Sequence, residues 1–173
     1  MPERPVINRR TLLGMAAVGL TGLAGPVRAA GHPVSWIGDQ EPGTIIILTA
    51  QRRLYLITEP GEARSYPVAV GKEGAQWTGT TRIVRKAKDP DWRPTPSMRA
   101  KNPRLPEFVK GGPGNPLGAR ALYLAEGYLR VHGNNDESSI GFAKSSGCYR
   151  MYNEDVIELY EMAQIGATVI VGE

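Results

Sequence analysis

The twelve residues Ile140–Met151, IGFAKSSGCYRM, contain the only cysteine of a 173-residue chain. Ser145-Ser146-Gly147 precede it and Tyr149-Arg150 follow it, so the surroundings of Cys148 are not a continuous apolar run of the kind that seals an inert thiol in a core. An ordinary cysteine at neutral pH is only roughly a few per cent thiolate, and it becomes a useful nucleophile beside a base or a positive group. The stretch therefore asks for a partner elsewhere in the chain.

The chain has two histidines. His32 falls near the start of the chain that follows a leader, where backbone frays, and makes a poor mount for a positioned base. His132 closes the apolar run Tyr128-Leu-Arg-Val-His132 and is followed by the loop Gly133-Asn134-Asn135-Asp136, 16 residues before the cysteine. A strand-end imidazole aimed out of a sheet is a sound base, and Gly133, Gly141 and Gly147 allow the connection to bring it to the sulfur. With two unclustered histidines and one cysteine, the usual three- or four-ligand zinc set cannot be built, and no metal is expected. Neither a G-x-S-x-G elbow nor a phosphate-binding glycine pattern occurs, and no cofactor is expected.

Outward from the two candidates the chain reads mostly as strands. Thr44–Thr49 (TIIILT) and Leu54–Thr58 (LYLIT) flank the polar corner Gln51-Arg52-Arg53 as a hairpin. Further strands are expected at Ala63–Val70, Thr80–Ala87, Ala121–Ala125, Tyr128–His132 and Ala167–Val171. Asn153 reads as a helix N-cap with Glu154 and Asp155 in the first turn, and Val156, Leu159, Tyr160 and Ala163 give an apolar stripe to about Gln164. Residues 89–118 hold seven of the 14 prolines, which predicts a long loop without regular structure; Trp92, Met98, Leu105 and Phe108 would anchor it as an ordered lid.

The first thirty residues set the compartment. Asn8-Arg9-Arg10-Thr11 opens an uncharged run to Gly25, shorter and richer in glycine than the roughly 20 apolar residues a bilayer span takes. Small residues at Ala29-Ala30 suit cleavage, so residues 1–30 read as a signal peptide of the twin-arginine type, with an ordinary secretory signal as the alternative. Export to the periplasm or cell wall follows, with no stable membrane span. The formal charge of +4 largely leaves with that leader, since Arg4, Arg9, Arg10 and Arg28 lie in it against Glu3 alone. The remaining 17 basic and 16 acidic residues give no ground for a nucleic-acid partner. One local excess persists: eight basic residues against two aspartates over Arg82–Arg104, read first as a solvated strand face and loop and second as a hold on an anionic partner.

Taken in order, Arg53-Leu-Tyr-Leu, Tyr66–Gly71, Trp77-Thr-Gly79, Trp92–Met98, Asn115–Gly118, His132-Gly133, Ser139-Ile140-Gly141, Ser145–Met151, Asn153–Tyr160 and Gly166–Val171 resemble the L,D-transpeptidase (YkuD) family over essentially the whole chain after the leader. The family's commonest form has histidine just before Gly-Cys, where this chain has Ser146. The resemblance implies a mostly-β (β-rich α+β) fold of two packed mixed sheets with one substantial helix after the nucleophile loop. The organisation it suggests is an N-terminal segment at 31–43 and a catalytic domain at 44–173 carrying the Pro-rich loop 89–118.

The same resemblance implies acyl transfer on peptidoglycan stem peptides. Cys148 would be the nucleophile, His132 the proton acceptor and donor, and the Gly133 carbonyl the group orienting the imidazole. Backbone N–H groups around Ser146, Gly147 and Cys148 would form an oxyanion hole, and Arg150 and Ser145 would meet substrate. Arg150 has a second reading, an ion pair with Glu154. Donor and acceptor would be tetrapeptide stems, giving 3-3 crosslinks, or the acceptor would be another amine such as a wall-linked protein. A hydrolase of the same fold that trims stems, and a non-catalytic wall-binding domain, are the alternatives.

Overall fold

The computed structural model describes residues 31–173, and the leader expected at 1–30 lies outside the described residues. The elements in chain order are strands β1 (His32–Ser35), β2 (Ile45–Leu48), β3 (Arg53–Glu59), β4 (Glu62–Pro67), β5 (Val70–Gly71) and β6 (Gly79–Lys88), then helix α1 (Pro96–Lys101), then β7 (Arg120–Leu124), β8 (Arg130–His132), β9 (Ala143–Ser145) and β10 (Tyr149–Arg150), helix α2 (Asn153–Met162) and β11 (Thr168–Gly172). The β-rich architecture with one substantial helix is the one expected. Its two layers, however, are halves of one nine-stranded sheet in the order β1-β4-β3-β2-β11-β6-β7-β8-β10, with β5 and β9 forming a separate pair. The sheet passes from one half to the other through the ten-residue β6, whose register with β7 shifts between Ile83 and Arg85. Such a bulge bends the strand and steepens its twist, which lets one sheet curl over a core. Most pairs are antiparallel; β2 with β11, β8 with β10 and β5 with β9 are parallel.

Strand alternation decides which residues meet. In the first half, Ile45 pairs with Leu56, Ile47 with Leu54 and Leu54 with Tyr66, all on one buried face. In the second half, Leu122, Val131 and Tyr149 share the corresponding face across β7, β8 and β10. Both sets belong to one apolar cluster, closed by Val156, Leu159 and Ala163 of α2. Each of these three is fully buried, worth about 2 kcal/mol apiece for the larger two. A smaller cluster of Ile46, Ile57 and Ala63 on the outer face is covered by Val34 and Trp36, which places a strand in the segment at 31–43.

Two local expectations are corrected. The Pro-rich segment holds a regular element, α1, because Thr95 caps it by accepting the Met98 N–H (3.3 Å) and Pro96 sits in the first turn, where a missing N–H costs nothing. The cap position of α2 is taken by Tyr152, and Asn153 does different work. Its side-chain oxygen accepts from the N–H groups of Ala119 (2.9 Å) and Asn134 (3.4 Å), and its amide donates to the Asn134 carbonyl (2.8 Å). Gly118 and Gly133 give it room: a Cβ on either would lie 2.3 Å from the Asn153 side-chain oxygen. Asn153 thus ties the end of the Pro-rich loop and the loop after His132 to the start of α2. Removing the amide strands buried backbone groups, so Asn153→Ala should lower unfolding free energy by about 2–4 kcal/mol in urea titration.

Candidate active site

The remaining face of β7, β8 and β10 carries the candidate site residues. Ala121 pairs with His132, Tyr123 with Arg130, and His132 with Arg150 in the parallel β8–β10 ladder. Arg150 is therefore beside His132, and Cys148, two residues earlier, projects to the same side. Cys148 and His132 both line a cavity of about 330 Å³ together with Tyr128, Arg130, Ser146 and Arg150. Trp92, Thr95, Met98, Pro116 and Leu117 of the Pro-rich segment supply the facing wall. That segment is ordered as a lid: Trp92 and Val109 exchange backbone hydrogen bonds at 2.9 Å, and the buried Asn115 amide donates to the carbonyls of Val109 and Lys110.

His132 is 4 % exposed. Its Nδ1 lies 2.6 Å from the Gly133 carbonyl oxygen. A carbonyl only accepts, so Nδ1 carries the proton and the neutral ring keeps Nε2 free to accept one. Burial is the main reason the imidazole stays neutral; the Gly133 hydrogen bond works against it, Arg150 and Arg130 reinforce it, and the net effect lowers the pKa to about 3. The ring is thus an available base across the neutral range.

The turn Ser145–Cys148 is braced from inside. Ser145 Oγ donates to the Cys148 carbonyl at 2.5 Å and accepts the Gly147 N–H at 3.1 Å. Ser145 is 1 % exposed; it lines the cavity, with its hydroxyl directed into the turn. The Gly147 N–H is engaged within the turn, whereas among the described residues the N–H groups of Ser146 and Cys148 have no acceptor. Gly147 has φ +127°, and a Cβ there would stand 3.3 Å from the Ala75 carbonyl oxygen. Gly147→Ala should cost about 1–3 kcal/mol of stability, read as a lower urea midpoint, and depress turnover by re-aiming the thiol.

Cys148 is half-buried, and its thiol donates to the Tyr128 carbonyl at 3.4 Å. That acceptor is a backbone atom with no signature in sequence. Arg150 makes no ion pair with Glu154; its guanidinium is left to the cavity. Ser146 is exposed at the rim, where the family's commonest form has histidine. No group of three or more histidine, cysteine or acidic side chains that could hold a metal occurs among the described residues, and none of the helices there is long and apolar enough to cross a membrane.

The family model of the YkuD L,D-transpeptidase catalytic domain matches residues 42–171. The chain belongs to the L,D-transpeptidase family. Among relatives, the probable L,D-transpeptidase YbiS of Escherichia coli is 37% identical over 134 residues, covering 72% of this chain and 43% of YbiS. The probable L,D-transpeptidase ErfK/SrfK of the same organism is 33% identical over 134 residues, with 72% and 42% covered. The chain spans 61% or less of the length of the first relatives it matches. Among solved structures, an L,D-transpeptidase from Mycobacterium smegmatis superposes with TM-score 0.60 at 20% identity over 75% of this chain and 58% of that one, a likeness of fold. A Brucella melitensis protein named a probable carnitine operon oxidoreductase is 40% identical, with TM-score 0.56 over 81% of this chain and 91% of that one. The L,D-transpeptidase domain thus takes in β2 to β11 and both walls of the cavity.

Proposed function

We propose that this L,D-transpeptidase domain is an exported cysteine acyltransferase that joins peptidoglycan stems through 3-3 crosslinks. The observation that carries the reading is the shared cavity of Cys148 and His132, with the imidazole proton held on Nδ1 by the Gly133 carbonyl. His132 Nε2 takes the thiol proton as Cys148 Sγ adds to the carbonyl of the third residue of a tetrapeptide stem. The oxyanion is received by the N–H groups of Cys148 and Ser146, donors that cost no reorganisation. Collapse breaks the bond to the terminal D-alanine, whose nitrogen takes the proton from His132, and leaves a thioester. The diaminopimelate side-chain amine of a second stem then attacks, His132 accepts its proton, and the thiol is regenerated. Gly133 acts as the orienting group.

The name of the Brucella relative implies redox chemistry, whereas a thiol sharing a cavity with a neutral imidazole supplies the elements of acyl transfer. Hydrolysis is the second reading, favoured by the partly open mouth of the cavity, where Tyr128 is 61% exposed and water can compete with the amine. Incubating the purified protein with disaccharide-tetrapeptide and weighing the products separates the cases. Crosslinked dimer supports transpeptidation, tripeptide alone supports hydrolysis, and unchanged substrate removes both.

A further inference from the structure

Cations on the two faces of β6, β7 and β8 are treated differently. On the face packed by α2, Lys86 donates to the Ala163 carbonyl at the end of the helix (2.6 Å), and Lys88 pairs with Glu161 (3.5 Å). On the site face stand three guanidinium groups, Arg150, Arg130 and Arg85, and none of the ion pairs among the described residues engages them. They are aligned by register: Arg150 beside His132 on β10, Arg130 two residues before His132 on β8, and Arg85 on β6 across from Tyr123, which itself pairs with Arg130. The Tyr123 ring lies between the last two, with the Arg85 guanidinium carbon 3.5 Å and the Arg130 carbon 5.2 Å from its centroid. Arg130 donates Nη1–H to the Tyr128 carbonyl (3.1 Å), while its Nε is buried with no partner. The carboxylate nearest in the loop sequence, Asp136, is bonded to Ser138 through its N–H (3.1 Å) and hydroxyl (2.6 Å).

We propose that Arg130 and Arg85, bridged by Tyr123, form a carboxylate-binding track for the acidic stem peptide, leading from the catalytic cavity across β7 to β6. The inference rests on the transpeptidase reading for the identity of the ligand. From β10 to β6 there are three strand spacings, about 14 Å in all. With the scissile bond at Cys148 the three residues before it extend roughly 10–11 Å along the row, and the Arg85 guanidinium leans back over Tyr123 of β7 to meet them. Its chemistry matches as well: a glutamate joined through its side chain keeps its α-carboxylate, and a diaminopimelate joined through one centre keeps the carboxylate of the other. A planar guanidinium fork binds each bidentately, and the Tyr123 ring beneath it fixes the plane.

Paired stems test this, one with both carboxylates free and one with both amidated. Affinity is read by calorimetry in the Cys148→Ala background, which cannot turn over, and KM and kcat are read in the reactive enzyme. The acidic stem should bind about 10- to 100-fold more tightly than the amidated one, with the preference shrinking in added salt. Arg85→Gln should lose most of it, and Arg85→Gln with Arg130→Gln should bring the two stems within about twofold, through KM and not kcat. Arg82→Gln, an exposed neighbour on β6 outside the row, should leave the preference intact. Should the Arg130 variant fail to fold, the exposed Arg85 decides alone. A preference that survives Arg85→Gln, or one absent from the parent protein, overturns the track. Binding with no turnover of either stem would instead count against the proposed reaction and leave the track standing.

Discussion

Cys148→Ala should eliminate turnover of stem peptides and leave no covalent adduct after incubation with a carbapenem. The expected fall in kcat/KM is roughly 10⁴- to 10⁶-fold, since what survives loss of a nucleophile is only binding and oxyanion stabilisation. The fold should tolerate the change. The thiol is half-buried at a cavity wall and its one hydrogen bond, to the Tyr128 carbonyl, is long at 3.4 Å. Ser145 continues to hold the turn through the Cys148 carbonyl and the Gly147 N–H, neither of which involves the sulfur. The urea midpoint of Cys148→Ala should therefore stay close to that of the parent. Intact-protein mass spectrometry reads the adduct directly. A mass increment equal to the carbapenem in the alanine variant would place the nucleophile at another residue.

His132→Gln should lower kcat/KM by roughly 10²- to 10⁴-fold, the usual worth of a positioned base. Glutamine retains a donor for the Gly133 carbonyl but cannot accept the thiol proton. The same variant tests the electrostatics of the site through stability. Burial holds the folded-state imidazole neutral down to about pH 3, while in the unfolded chain it takes a proton near its ordinary value of 6.5. Between those two pH values the unfolded state binds more protons, so folding free energy falls as pH falls, by about 1.4 kcal/mol per pH unit from this residue alone. Above about 6.5 the contribution is flat and fully present. Carboxylates add their own acid dependence, and the difference between parent and His132→Gln isolates the imidazole. If urea titrations from pH 7 to pH 4 give parallel curves for the two proteins, His132 is not the buried neutral group described.

Legibility in the sequence followed the length of the elements. β2 and β3 are runs of Ile, Leu and Tyr bounded by a polar corner, and their residues say strand without help. β9 and β10 are three and two residues long, made of Ala-Lys-Ser and Tyr-Arg, and exist because neighbouring strands offer hydrogen bonds. β1 contains Pro33, which is tolerated because β1 lies at the sheet edge. The helix in the Pro-rich segment was readable in principle from Thr95-Pro96, a cap followed by a proline in the first turn, but seven prolines masked it. Asn153 looks like a cap because caps use the same side chain; its amide is drawn instead to backbone brought near by the fold.

The pair Cys148 and His132 stood out because each has so few competitors in the chain. The Tyr128 carbonyl did not, since backbone atoms are the same in every residue. Ser145 and Gly147 stand out as members of the turn, but the hydrogen bonds of the Ser145 hydroxyl to the Cys148 carbonyl and the Gly147 N–H do not. The difference lies in a hydroxyl that turns inward, which composition does not record. Arg130 and Arg85 lie on separate strands, 45 residues apart, and only the β6–β7–β8 ladder makes them neighbours.

The parallel pairing of Arg150 with His132 has a corollary. His132 ends one of two adjoining strands and Cys148 directly precedes the other, and their inward neighbours Val131 and Tyr149 are buried in the interior. A slip of one position would turn both reactive groups away from the groove and thrust aliphatic and aromatic side chains into water. The proposed reacting groups are consequently tied to the packed interior, whereas the opposing wall is a proline-rich segment outside the strand ladder. Substitutions in that wall should therefore change the shape of the cavity while leaving the Cys148–His132 placement intact.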